Sequence, residues 1–492
     1  MTIMSVVEEE EEPASPSARL MQTPGFDICV YAVLGYMTVI DVDLFKNELE
    51  LTLVKHPRFS SLLIEKDKKR GNYSWKRTVV DIDKHVFVPD LDPDMENPDE
   101  FVENFTSGLS RKTLDPTKPL WEIHILNVKT SDANSTVIFK IDHSIGDGVS
   151  LISLVLACAA MHSSGGDLLP VLPSKKRKTN SIGDRNSNIG SKMKRLFLSA
   201  WTILLVVFYT LIDLIMLLAT MLFLKDSKTP IKGERGVENT PKRFVHRILN
   251  LDDVKLVKTA MHVSINDVLM GVTEAGLSRY LNTRYATTEK HEKSNNNTLP
   301  RNLRLRAGIA FNLRPSPSIK DLIEVMDEKK ELKGMWGNLV GLVLIPLTIA
   351  LQDDPLAYIR RAKSIMDRKK LSLGPNFIFM LLKLLINLFG TKAALLVTRA
   401  VFTKTTVGFS NVVGPQEEIK LFGHPLSYIS PTVSGFPLAL VIHYQSYGNK
   451  LIIALAADEK LIPNPHQLCD DLQNSLQDIK QTVIKRGLVV MV

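Results

Sequence analysis

The run from Leu196 to Leu224 constrains this chain more than any other feature, being apolar enough to leave water and long enough to cross a bilayer as a helix. At about 1.5 Å per residue it exceeds the ~30 Å thickness of a hydrocarbon core. Trp201 and Tyr209 suit a membrane interface. Asp213, near the middle, opposes insertion by roughly 2.5–3.5 kcal/mol. The surrounding leucines and phenylalanines outweigh that penalty, so insertion of some kind is favoured. Lys192, Lys194 and Arg195 precede the run and Lys225, Lys228 and Lys232 follow it, which suits lipid headgroups but names no orientation. A buried core helix is the alternative for the same residues.

At 492 residues the chain exceeds what one hydrophobic core supports, so two domains are expected. Strand-like and helix-like segments alternate on both sides of the apolar run, which implies α/β or α+β lobes. We divide the chain into an acidic, disordered tail over 1–12, a first lobe over 13–174, a basic linker with the apolar segment over 175–240, and a second lobe over 241–492. The acidic Glu8–Glu12 stretch stands where a signal peptide would need basic then apolar residues. Lys175–Lys178 opens a polar stretch to Gly190 that reads as an exposed linker. Helical periodicity marks Asp43–His56 and Pro465–Ile484. Tyr447-Gly448-Asn449-Lys450 reads as a hairpin turn between apolar strands at Leu438–Tyr444 and Leu451–Ala457.

Three cysteines, Cys29, Cys158 and Cys469, are too few and too scattered for a disulfide framework or a zinc site, and they suggest a reducing compartment. The net charge of +8 is compatible with nucleic acid, an anionic membrane or a polyanionic cofactor. No zinc-finger spacing or RNA-binding signature accompanies it, so nucleic acid is excluded. Metal-ligand spacing, a phosphate loop and a nucleophile elbow are also absent from the sequence.

The chemistry concentrates in Ile141-Asp142-His143-Ser144-Ile145-Gly146-Asp147-Gly148. Thr136–Ile141 reads as a buried strand, and Val149–His162 shows Leu151, Leu154, Val155 and Cys158 at helical spacing. A strand-loop-helix junction holds an imidazole rigidly yet within reach of substrate, and histidine is the side chain whose pKa suits proton removal near neutrality. The competing account is a capped helix start, with Asp147 accepting backbone N–H groups and His143 a surface residue.

Seven segments, in order, bear a resemblance to the plant bifunctional wax ester synthase/diacylglycerol acyltransferases. They are Pro13-Ala14-Ser15-Pro16, Lys55-His56-Pro57-Arg58-Phe59, Lys118-Pro119-Leu120-Trp121-Glu122, the His143 motif, Ser264-Ile265-Asn266-Asp267-Val268, Phe311-Asn312-Leu313-Arg314-Pro315 and Ser410-Asn411-Val412-Val413-Gly414-Pro415. That family is related to chloramphenicol acetyltransferase, carnitine acyltransferases and condensation domains of peptide synthetases. The resemblance implies two chloramphenicol-acetyltransferase-like lobes, with the active site and tunnel at their interface. One departure stands out: the family motif opens on two histidines, and Asp142 occupies the first position. Successive strand residues face opposite ways, so Asp142 and His143 cannot both face substrate if the strand runs this far. If close, Asp142 raises the basicity of His143.

The resemblance implies acyl transfer from acyl-CoA to a fatty alcohol or diacylglycerol, with no permanently bound cofactor and no metal. His143 is the expected general base, and Asp147 the structural support of its loop, pairing with an arginine. Ser410 and Asn411, at the end of a Thr406–Phe409 strand, are the candidate oxyanion donors; a turn that only closes the lobe is the alternative. Asn266 and Asp267 match a substrate-binding element, with a helix N-cap as the competing account. Trp121 is expected to pack the lobe beneath the site, and Arg314 to pair with a carboxylate rather than contact CoA phosphate.

A fully spanning Leu196–Leu224 places His143 and Asn266-Asp267 on opposite sides of the membrane, unless the chain crosses back. Phe377–Phe389 is too short to do so and contains Lys383. A segment that enters and returns, or lies along the cytosolic face, is therefore preferred. The expected location is the endoplasmic reticulum membrane with cytosolic lobes, the plasma membrane being the other possibility. Two rival readings remain at this point: a soluble-type plant acyltransferase of specialised metabolites, and a non-catalytic lipid-binding relative.

Overall fold

The computed structural model describes residues 11–67, 71–92, 94–162, 189–288, 297–314, 319–327 and 336–488. Two six-stranded sheets organise the molecule. The first runs in the order Lys420–Leu421, His424–Ser434, Cys29–Tyr36, Ser135–Asp142, Trp121–Leu126, Val86–Phe87. The second runs Val340–Thr348, Arg304–Asn312, Val407–Val412, Leu440–Tyr447, Lys450–Asp458, Lys242–Asn250. The strands at the sheet centres are rich in β-branched and aliphatic residues because helices cover one face and the partner lobe the other.

Division at 241 does not separate the two sheets. His424–Ser434 leaves the second lobe and pairs antiparallel with Cys29–Tyr36, so the first sheet is completed by the C-terminal half of the chain. Hydrophobic periodicity identifies such a strand but says nothing about its partner. A third core joins the sheets face to face through Tyr31, Ile138, Phe244, Val433, Val441 and Ala456. Tyr31 and Phe244 meet with ring centroids 4.9 Å apart. The Arg111–Glu459 ion pair at 2.9 Å and a hydrogen bond between His466 Nε2 and Glu103 Oε2 at 3.0 Å also bridge the lobes.

Several sequence expectations shift. The acidic tail is not wholly solvated: Glu11–Pro13 forms an edge strand on Asn72–Arg77, with Glu11 and Glu12 paired to Lys66 and Arg58, each at 2.6 Å. Residues 1–10 and the basic linker at 175–188 lie outside the described residues. The Asp43–His56 helix ends at Leu51 and continues as a separate 3-10 turn over Leu53–Lys55. The Leu440–Tyr447 and Lys450–Asp458 strands do pair as a hairpin, with Gly448 in the left-handed region at φ 53° that a two-residue turn requires.

The apolar run forms the helix Ile189–Leu222, and a second apolar helix, Gly374–Phe402, packs against it. Both are long and apolar enough to cross a membrane. The sequence reading stopped the second at Phe389; it continues to Phe402, but breaks at Gly390, where φ 80° and ψ 174° are not helical. Its first arm of about 16 residues therefore reaches roughly 24 Å, short of a hydrocarbon core. Asp213 is paired with Lys369 at 2.6 Å, so it is not presented to lipid as a bare charge. Thr210 accepts from the Leu373 N–H at 3.0 Å, and Thr220 accepts from the Arg306 guanidinium at 2.5 Å. These contacts tie one side of the C-terminal half of the long helix to the second lobe, while Leu196, Phe197, Trp201, Leu204 and Phe208 are exposed, as are Leu211, Ile215, Leu218 and Leu222 beyond Thr210.

Candidate active site

The Ser135–Asp142 strand is central in its sheet, and His143 follows its last residue. The His143 backbone N–H donates to the Ile28 carbonyl at 2.9 Å, which pins the loop to the neighbouring strand's entry. The imidazole is partly enclosed. Its Nδ1 lies 3.0 Å from Asn338 Oδ1, and Asn338 Nδ2 donates back to the His143 carbonyl at 2.7 Å. Because the Asn338 oxygen can only accept, Nδ1 must hold the proton, and the Nε2 lone pair is left for another partner. Burial lowers the His143 pKa from its ordinary value, opposed by a backbone hydrogen bond, the Asp147 charge and Asn338. Phe436 presents its ring to the imidazole at 6.4 Å, edge to face.

Asp147 makes the loop rigid. Its Oδ2 accepts from Arg314 Nη2 at 2.5 Å and from the Leu339 N–H at 3.2 Å, and its Oδ1 accepts from the Ser150 N–H at 3.0 Å. Both charged side chains are nearly fully buried. Arg314 also donates to Ser150 Oγ at 2.5 Å and to the Gly337 carbonyl. Gly337 sits at φ 106°, a conformation that strains any residue with a Cβ, and this turn aims its carbonyl at the guanidinium. Trp336 donates its indole N–H to the Ile145 carbonyl at 2.5 Å. The segment 336–339 from the second half of the chain is thus fastened to the His143 loop directly at Trp336, Asn338 and Leu339, and through Arg314 at Gly337. None of Trp336, Gly337 or Asn338 was singled out from sequence, where a Gly-Asn turn is visible but its tertiary partner is not.

The strand extends through Asp142, and Asp142 and His143 do not meet. Asp142 Oδ1 accepts from Gln22 at 2.8 Å and from the Ser144 N–H at 2.8 Å. Burial, reinforced by nearby Asp27, raises its pKa to about 6 despite those hydrogen bonds. Its charge is not among those acting on His143. The residue that replaces the first histidine anchors the loop to the segment around Gln22.

The remaining candidates separate. Ser410 and Asn411 lie within the strand Val407–Val412, not after its end, because Val407–Phe409 pairs parallel with Ala307–Ile309 and the whole strand pairs parallel with Leu440–Gln445. A Cβ on Gly148 would come within 3.2 Å of Val412, so this strand's end abuts the histidine loop. Asn411 Nδ2 donates to Asn266 Oδ1 at 2.6 Å, joining two of the sequence candidates. Asp267 instead caps its helix: its Oδ2 accepts from the Ser264 N–H at 2.7 Å, and Ser264 Oγ accepts from the Asp267 N–H at 3.2 Å. Trp121 is fully buried, with its indole N–H on the Phe59 carbonyl at 2.9 Å. The three cysteines are buried and free, and burial pushes each thiol up to about 12, which removes them as nucleophiles. Among the described residues no cluster of three or more His, Cys, Asp or Glu side chains is placed to hold a metal.

Comparison with known proteins agrees with this architecture. The model of the wax ester synthase/diacylglycerol acyltransferase catalytic domain matches residues 35–269, and the WS/DGAT C-terminal domain matches residues 336–480. Wax ester synthase/diacylglycerol acyltransferase 11 of Arabidopsis thaliana is 47% identical over 481 residues, covering 97% of this chain and 96% of its own. The Arabidopsis protein numbered 5 in the same series is 43% identical over 492 residues, covering 99% of this chain and 96% of its own. Among solved structures, the wax ester synthase/diacylglycerol acyltransferase from Marinobacter aquaeolei VT8 shares the fold with a TM-score of 0.58 at 18% identity, covering 96% of this chain and 99% of that one. The first condensation domain of the CDA synthetase matches with a TM-score of 0.54 at 12% identity, covering 97% of each chain. With both domain models matched and close relatives aligned end to end, the chain belongs to the wax ester synthase/diacylglycerol acyltransferase family of acyltransferases.

Proposed function

We propose that this protein transfers a long-chain acyl group from acyl-CoA to a fatty alcohol or to diacylglycerol at a membrane surface, with His143 as general base. The reciprocal pair between His143 and Asn338 supports this reading above all, since it leaves Nε2 unprotonated and fixes the ring plane. Nε2 takes the proton from a bound hydroxyl while the oxygen attacks the thioester carbonyl. The tetrahedral intermediate then expels CoA as its thiolate, and the imidazolium returns the proton to sulfur. Burial keeps His143 neutral at neutral pH, which is the form a base needs.

Membrane attachment suits substrates that partition into lipid. Leu196, Phe197, Trp201 and Phe208 form one side of an exposed apolar surface, and Met380, Leu384, Leu388 and Phe389 of the second helix form the other. The apolar part of the long helix ahead of Thr210, about 14 residues from Leu196, reaches roughly 21 Å, short of a hydrocarbon core. We read both helices as entering one leaflet from the cytosolic face of the endoplasmic reticulum. Expression in cells unable to make neutral lipid, with fatty alcohol supplied, tests the activity. Wax ester or triacylglycerol from the unaltered chain and none from His143→Ala is expected; no product from the unaltered chain overturns the proposal.

A further inference from the structure

A buried imidazole, His443, turns toward the lobe that holds His143. His443 lies on the Leu440–Tyr447 strand, in register with Ser410. Along that strand Ile442 and Tyr444 point into the second lobe's own core, whereas Val441 belongs to the core between the lobes. Alternation therefore turns His443 toward the first lobe, on the same face as Val441. The side chain is only 8% exposed, and its Nε2 is buried without a hydrogen-bond partner. A buried polar atom left alone is costly, and such atoms mark places where a ligand completes the structure. Burial, with His143 as the neighbouring charge, holds its pKa down to about 4, so the ring is neutral through the working range.

Asn411 and the cysteines are less well placed as donors. Asn411 already gives an amide hydrogen to Asn266 at an exposed rim. The cysteines are held as buried thiols elsewhere in the cores. A neutral imidazole beside the base has the two properties that the chemistry asks for: it donates a hydrogen bond, and it does not repel the imidazolium that forms on His143.

We propose that His443 contacts the substrate, donating its Nε2 hydrogen to the thioester carbonyl oxygen as that oxygen becomes an oxyanion. This rests on the acyl-transfer reading with His143 as base. The role makes His443 a catalytic residue, contributed by the second lobe, opposite a base contributed by the first. It also gives a chemical reason why the site requires both lobes.

The test uses the full-length protein in detergent with palmitoyl-CoA and hexadecanol, comparing His443→Met, which keeps the bulk, with His443→Gln, which keeps a donor. The Met variant is expected to lose roughly 10²–10³-fold in kcat at little-changed KM for palmitoyl-CoA, and the Gln variant to recover a substantial part of it. Equal melting temperatures in the two variants separate the effect from packing. A Met variant within a few-fold of the parent overturns the assignment, as does equal loss in Met and Gln. If the Met variant does not fold, His443→Asn replaces it: a drop relative to Gln supports donor reach, and equality overturns it. His143→Ala, assayed in parallel, reports on the base alone, so retained activity there refutes the underlying reading and not the donor.

Discussion

Removing either partner of the Asp147–Arg314 pair tests how the site is held. The two side chains are 4% and 3% exposed, and Asp147 serves three donors: Arg314 Nη2, the Ser150 N–H and the Leu339 N–H. Arg314→Met leaves a buried carboxylate without its counter-charge, and Asp147→Ala leaves a buried guanidinium and two backbone N–H groups short of an acceptor. Breaking a buried pair from one side costs about 3–5 kcal/mol. Each orphaned backbone donor adds about 1–3 kcal/mol, so the Ala variant is the more damaged. The double variant removes both charges together, so it is expected to cost clearly less than the sum of the singles. Thermal unfolding followed by fluorescence, with the first lobe melting as a unit, translates 3–5 kcal/mol into a fall of roughly 6–20 °C. Activity should fall further than stability at temperatures where the variants remain folded, because Leu339 loses its tether and Asn338, its neighbour, no longer fixes the His143 ring. Single variants costing under about 1 kcal/mol each, or a double variant equal to their sum, would falsify the claim that this pair clamps the loop.

Asn338→Ala should lower kcat by roughly ten- to a hundredfold through a mis-set base, measured as acyl transfer by purified protein; parental kcat refutes the tautomer argument. Since burial depresses the His143 pKa, kcat/KM should hold as pH falls toward 6.5 and decline only below it. An acid limb centred at or above 6.5 contradicts that. Asp142, raised to about 6, gives up stability as pH rises from its ordinary value of 3.8 through 6, because its carboxylate is then ionised in a buried setting. Asp142→Asn should therefore be more stable than the parent by about 1–3 kcal/mol near pH 8, with the gap closing by about pH 4; urea unfolding at the two pH values decides it. Trp201 is 53% exposed while Trp75, Trp121 and Trp336 are buried, so quenching by brominated phosphatidylcholine vesicles reports on the apolar helices. Unquenched Trp201 rules out their insertion.

The local chemistry was legible in the sequence for concrete reasons. The strand before His143 declared itself by a β-branched, apolar run and the helix after it by apolar spacing, and each formed within one residue of its expected limits. The helix cap weighed as the competing account for Asn266 and Asp267 is made by Asp267, with Ser264 as its partner, a pairing that the sequence reading did not name. The arginine partner of Asp147 was expected in kind, and Arg314 fills the role. The strand holding Ser410 and Asn411 was drawn too short because Asn411 and the nearby Gly414-Pro415 resemble a turn, whereas two parallel neighbours extend the pairing through Val412. The second apolar helix was cut short for a related reason: the Gly390 break and polar Thr391 and Lys392 interrupt the hydrophobic pattern, yet the helix resumes beyond them to Phe402.

Local propensity and periodicity, which act over a few residues, determined from the sequence alone the histidine junction and the apolar surface, while chain length and the family resemblance implied the two-lobed plan. Only the tertiary structure decided that Asn338 orients His143, that Asp142 faces Gln22, that His424–Ser434 crosses to complete the other lobe's sheet, and that His443 lies on the strand face turned toward the first lobe. These pairings join residues between about 100 and 400 positions apart. They are chosen by which buried polar groups and strand edges remain to be satisfied once each lobe has closed, and no short stretch of residues encodes that remainder.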